Sequence, residues 1–124
     1  MKKILLATFI ITALSSFTHV SLTEVINALK SGSATEVAKY FDNTVELTVA
    51  EKTNSLNKSQ AEGTLQDFFN KNQVKSFQVL HQSEKAGSVY CIGNLTTTNG
   101  VFRTTIYMKQ VDSKQLIQEL RFEK

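Results

Sequence analysis

Apolar and polar positions follow two rhythms along this chain, helical in the first half and alternating in the second. Leu22, Val25, Ile26 and Leu29 recur at i, i+3, i+4 and i+7, which predicts an amphipathic helix. Ser21-x-x-Glu24 reads as a capping box at its start, with Val20 and Val25 as a hydrophobic staple. Gly32, after Lys30-Ser31, supplies the stop. A second box, Ser33-x-x-Glu36, opens a short helix with Val37, Tyr40 and Phe41 inward and Asp42-Asn43 at its end. A third, Ser59-x-x-Glu62, opens a helix whose inward residues are Ala61, Leu65, Phe68 and Phe69. Between the last two helices, Val45, Leu47 and Val49 alternate with Glu46 and Thr48, the period of a strand. Glu51 to Asn57 reads as a turn region with room for a small hairpin through Leu56.

Beyond residue 74 the alternation is continuous and predicts strands over 75–82, 88–97, 101–110 and 115–123. The turns set their register. Asn99-Gly100 is a two-residue hairpin signal. It pairs Thr98 with Val101, and so Leu95 with Thr104, Gly93 with Ile106 and Cys91 with Met108. The opposite face then pairs Ile92 with Tyr107 and Thr96 with Arg103. A turn near Glu84 to Ala86 sets Val79 opposite Cys91 and His81 opposite Val89. Leu116, Gln118, Leu120 and Phe122 complete the inward row, which requires an odd loop or a bulge near Asp112. The element order is that of an α+β domain, with three helices from the N-terminal half packed on one face of an antiparallel sheet of four to five strands.

The first residues follow a different logic. Lys2 and Lys3 precede an apolar run from Ile4 to Leu14 and then Ser15 and Ser16, the three regions of a secretory signal peptide. The run is shorter than the ~20 residues of a membrane span. The expected organisation is a signal peptide over 1–18 and one domain over 19–124, with cleavage after Ser15 or Thr18. That implies an exported protein, periplasmic or secreted, with no membrane span after cleavage. The chain has 14 basic and 11 acidic residues, and without Lys2 and Lys3 the basic count falls to 12. The near-neutral remainder has no basic run, which argues against a nucleic-acid partner. One cysteine, Cys91, allows no internal disulfide, so the core alone must hold the domain.

Two stretches, EVAKYFDNTVELTV and KSQAEGTLQDFFNKN, with the meander after them, resemble the nuclear transport factor 2-like superfamily of cone-shaped α+β domains. A narrower resemblance rests on LKSGSATEVAKYFDNTVEL, SQAEGTLQDFF, KSFQVLHQ, VYCIGNLTT and FRTTIYMK. These look like the exported bacterial family known as domain of unknown function 4783. The motifs that carry it are Phe68-Phe69, Phe77-x-x-x-His81 and Tyr90-x-Ile92-Gly93; Ser83 stands where that pattern would have Gly. The resemblance implies a curved, cystatin- or cone-like sheet, a pocket between sheet and helices, and a sheet surface used for dimer contact. It implies no activity, since the narrow family has none assigned and the wider one spans isomerases, dehydratases, immunity and secretion components and dimerisation modules.

Acid–base residues of such a pocket would project from the inner sheet face, yet the inward row expected here contains no carboxylate. His81, at the end of that row, is the candidate proton carrier, but it lacks an orienting acid unless Asp67 or Asp42 turns in. Cys91 reads as a buried mid-strand thiol. Thr104 and Gln118 are polar on the core face. Either they bond each other and backbone, or they line a small wet pocket with His81. The candidate pocket is therefore His81, Thr104, Gln118, Cys91 and Phe68. The few His and Cys residues do not make a zinc site, there is no Gly-rich phosphate loop, and no cofactor is implied. Outward, Tyr90, Ile92, Val101, Tyr107 and Ile117 surround Arg103, an apolar centre with aromatics and Arg that suits a homodimer interface. The leading expectation is a non-enzymatic exported domain that binds a small ligand or an envelope protein. One alternative is a pocket enzyme of isomerase or hydrolase type using His81, and another is a structural homodimeric envelope protein.

Overall fold

In this computed structural model the described residues are 19–124, with side chains described from Ser21. The expected signal peptide over 1–18 and its cleavage sites lie outside the described residues.

The first helix, α1 (His19–Ser31), turns Leu22, Val25, Ala28 and Leu29 inward and ends at Gly32, whose φ of 67° suits a residue without Cβ. Ser21 lies inside this helix rather than at its cap, because the helical backbone continues upstream through Val20 to His19. The second helix, α2 (Ala34–Ala38), is capped as expected by Ser33, whose hydroxyl accepts from the Glu36 amide at 3.2 Å. The Glu36 carboxylate pairs with Lys39 at 2.9 Å instead of reaching back. The third, α3 (Lys58–Lys71), starts before Ser59. Asn57 and Gln60 form its capping box, each side chain accepting the other's amide, at 2.8 and 3.1 Å.

The sheet has six strands, not four to five, and is mixed rather than antiparallel. They are β1 (Phe41–Val49), β2 (Lys52–Asn57), β3 (Val74–Lys85), β4 (Ser88–Thr97), β5 (Gly100–Val111) and β6 (Lys114–Glu123), in the order β2-β1-β6-β5-β4-β3. Every neighbouring pair is antiparallel except β1 and β6, which run parallel. The extra strand is β2. It is an edge strand with only Leu56 half buried, so no apolar alternation announces it. Its hairpin with β1 turns through Ala50 and Glu51, both at positive φ (54° and 63°), the backbone a two-residue hairpin needs.

The meander keeps the expected inner face but not the expected pairs. Thr98 and Asn99, not Asn99 and Gly100, form the β4–β5 turn, so Cys91 faces Ile106 and Gly93 faces Thr104. The shift is two residues and leaves each side chain on its expected face. Gly100 follows the turn at φ 110°, and that is where glycine's freedom is used.

Two bulges have larger effects. In β3 the pairing slips between Val79 and His81, so His81 lies opposite Ile92, on the outer face, and is exposed. In β6 it slips between the partners of Tyr107 and Met108. Gln115 and Ile117 therefore take the inward places expected for Leu116 and Gln118, and Ile117 is fully buried. A bulge adds one residue to one strand, which exchanges the faces beyond it. The core lies between the inner sheet face and the helices, with Leu29, Val37, Leu65, Leu95, Ile106, Leu120 and Phe122 among its most buried members.

Candidate ligand cavity

The inner face is not filled to its end. Where β1, β5 and β6 approach the C-terminal half of α3, a cavity of about 600 Å³ opens to the surface. Its apolar lining comes from Leu47 and Val49 on β1, Leu56 on β2, Phe68 on α3, Phe102 on β5 and Phe122 on β6. Phe68 sits at the centre of this floor. Its ring meets Phe102 edge-on at 5.0 Å and lies over Phe122 at 4.6 Å. Such ring pairs each add ~0.5–1.5 kcal/mol beyond burial, so the floor is a fixed surface. On α3, Thr64, Phe68 and Lys71 recur at helical spacing, which turns one stripe of the helix toward the opening.

The end of α3 is pinned beside the cavity by the β4–β5 turn. The Asn99 side-chain Nδ2 donates to the Lys71 carbonyl at 2.6 Å and to Asn72 Oδ1 at 3.1 Å. The Thr98 amide donates to the Gln73 carbonyl at 2.9 Å, and Thr98 Oγ1 accepts from the Gln73 amide at 3.2 Å. The bond to Lys71 satisfies a carbonyl that a helix end leaves without a partner. The mouth is polar: Lys52, Asn54, Asp67, Lys71, Asn72 and Lys124 border it.

Of the five pocket residues expected from sequence, only Phe68 lines this cavity. His81 stands on the outer face near the edge of the sheet. Thr104 is fully buried, and its hydroxyl donates to the Phe102 carbonyl at 3.2 Å, so it is satisfied within its own strand. Cys91 is fully buried, and burial pushes its thiol up to about 11, which keeps it protonated and unreactive at neutral pH. Gln118, at the β6 bulge, donates to Asp42 Oδ2 at 2.9 Å and to the Leu116 carbonyl at 3.3 Å. Asp42 is thus engaged with Gln118 and does not orient His81. Asp67 does reach the cavity, as one of the acids considered, but without the histidine.

Sequence reading missed the walls supplied by β2 because Lys52 and Asn54, which face inward in register with Val49 and Leu47, are polar. Their strand neighbours Thr53 and Ser55 are polar as well, so no alternation marked the strand. Among the described residues no group of three or more His, Cys, Asp or Glu side chains could hold a metal ion. None of the described helices is long and apolar enough to cross a membrane.

On the outer face, Tyr90 and Tyr107 pair across β4 and β5 with centroids 5.4 Å apart. Tyr90 is 40% exposed and Val101 49% exposed. Ile92 is half buried and Arg103 exposed there, whereas Ile117 belongs to the core. The ion pair on this face joins Arg121 to Glu123 at 3.3 Å and leaves Arg103 out.

Solved structures share this fold. A domain of unknown function 4783 protein from Bacteroides ovatus is 39% identical, with a TM-score of 0.79 over 82% of this chain and 92% of that one. One from Bacteroides uniformis is 37% identical, with a TM-score of 0.80 over 82% and 94%. A nuclear transport factor 2-like protein of unknown function from Cytophaga hutchinsonii shares the fold at 12% identity, with a TM-score of 0.62 over 88% of this chain and 91% of that one. No curated protein matches the chain. The profile of the domain of unknown function DUF4783 matches residues 22–123, nearly all of the described fold. The match spans the helices and strands that build the cavity: this chain belongs to the DUF4783 family, on a nuclear transport factor 2-like fold.

Proposed function

We propose that this protein is an exported, non-enzymatic binding domain whose ligand occupies the cavity between α3 and the β1, β5 and β6 strands. The observation that carries the reading is the cavity itself, about 600 Å³ with a floor of three phenylalanines. Small-molecule sites typically have ~300–1,000 Å³ of mostly apolar surface with a few polar groups at fixed places. An acid–base mechanism needs titratable groups converging on one reacting atom. Here His81 points elsewhere and Cys91 is sealed in the core, which favours binding over catalysis. Export rests on the paired lysines and short apolar run at the N-terminus. Native mass spectrometry of purified protein, compared with the denatured mass, tests the binding reading. A co-purifying small molecule released on denaturation is the expected result. A protein of bare mass that also fails to take up apolar probes would contradict it.

The Tyr90–Tyr107 pair supports a second reading, a homodimer packed outer face to outer face. The patch carries both signs, Arg103 and Arg121 with Glu119 and Glu123, so two copies related by a two-fold axis can match opposite charges. It differs from the sequence expectation in lacking Ile117. Sedimentation should show a dimer at tens of micromolar and a folded monomer for Ile92→Lys. A monomeric wild type would end this reading.

A further inference from the structure

The floor and the mouth of the cavity differ in charge. Three lysines from three parts of the chain border the opening: Lys52 at the start of β2, Lys71 at the end of α3, and Lys124 after β6. Among the described residues none of the three is in an ion pair; the pairs there join Lys39 to Glu36 and Arg121 to Glu123. The Lys124 ammonium stands 5.2 Å from the centre of the Phe102 ring, at the boundary of floor and mouth. Three carboxylates also border the opening: Glu51, Asp67 and Glu123. Glu123 is already held by Arg121 at 3.3 Å. The lysines therefore exceed the uncommitted side-chain carboxylates, Glu51 and Asp67, by one. An anion placed beside apolar walls is attracted more strongly than the same anion in open water.

We infer that the ligand is an anionic amphiphile, with an apolar body on Phe68, Phe102 and Phe122 and a single anionic head group among Lys52, Lys71 and Lys124. This rests on the cavity reading above and adds the sign of the head. The rim is wet, so its selectivity is a matter of about tenfold rather than thousands.

Three probes with the same ten-carbon tail separate the two claims. Decanoate, decyl glucoside and decyltrimethylammonium, each below its micelle concentration, are titrated calorimetrically into the purified protein. Decanoate is expected to bind about tenfold tighter than the cation, with the glucoside between them. The triple variant Lys52→Gln, Lys71→Gln, Lys124→Gln should close that gap and still take up the glucoside. Because all three lysines are solvent-facing, its melting curve serves as the folding control, and Lys124→Gln alone should narrow the gap if the triple variant does not fold. Equal affinity for the three probes, or tighter binding of the cation, would overturn the anionic inference and leave the cavity reading standing. No binding of any probe would overturn both.

Discussion

The ring of Phe68 lies over the ring of Phe122, with centroids 4.6 Å apart and planes 25° apart, joining α3 to the C-terminal strand at the floor of the cavity. Phe68 has a second partner in Phe102 and a third in its neighbour Phe69, at 5.8 Å. Removing the ring therefore takes away both core and binding surface. Phe68→Ala should cost ~3–5 kcal/mol. Urea unfolding monitored by circular dichroism measures it. A loss below about 1 kcal/mol would mean that the floor is not packed as described.

The β1–β2 hairpin borders the cavity with two residues at unfavourable backbone angles. Ala50 and Glu51 both have positive φ, which costs a side-chain-bearing residue roughly 1–2 kcal/mol. Asn-Gly is the pair that this turn prefers. The double variant Ala50→Asn, Glu51→Gly should raise stability by about 1–2 kcal/mol, seen as a higher melting temperature. An unchanged or lower melting temperature would show that the turn is not under strain.

Stability at high pH has a named contributor. The Tyr40 hydroxyl donates to the Glu24 carboxylate, tying the start of β1 to α1. That bond, then burial, then the charges of Glu24 and Glu36 raise the phenol from its ordinary 10.0 to about 12. A pKa raised by folding means the folded state favours the protonated phenol. Its contribution is complete below pH 10 and is lost as pH rises through about 12. Tyr40→Phe should lose about 1 kcal/mol or less at neutral pH and show a shallower fall in stability between pH 10 and 12. An identical slope in variant and wild type would remove Tyr40 from the account. Cys91, raised from 9.0 to about 11 by burial, acts with the same sign and starts at lower pH.

What could be read from the sequence depended on how directly a residue's type reflects its place. Leu22, Val25, Leu29, Leu65 and Phe69 declared their faces because a helix buries a fixed stripe whatever surrounds it. The β4–β5 register was off by two residues, yet Cys91, Leu95, Ile106 and Met108 kept their expected face because strand period is two. His81 and Ile117 were misplaced because each lies next to a bulge, and a bulge leaves no mark in an alternating pattern. Gly93 shows a signal that was present but unused. A Cβ there would stand 2.6 Å from the Gln78 carbonyl oxygen and 2.9 Å from Phe77 Cε1, so the glycine marks close approach of β3 to β4. The cavity walls from β2 were illegible for a different reason: Lys52 and Asn54 face a space the protein itself does not fill.

The central claim is that the space above Phe68, Phe102 and Phe122 is where this protein binds its ligand. Amide chemical-shift mapping during titration with decanoate tests it most directly. The account predicts shifts confined to residues around the cavity, such as Leu47, Leu56, Thr64, Asn72 and Lys124, and their loss in Thr64→Trp, which fills the opening without disturbing the core. Shifts centred on Tyr90 and Tyr107, or undiminished shifts in Thr64→Trp, would contradict it.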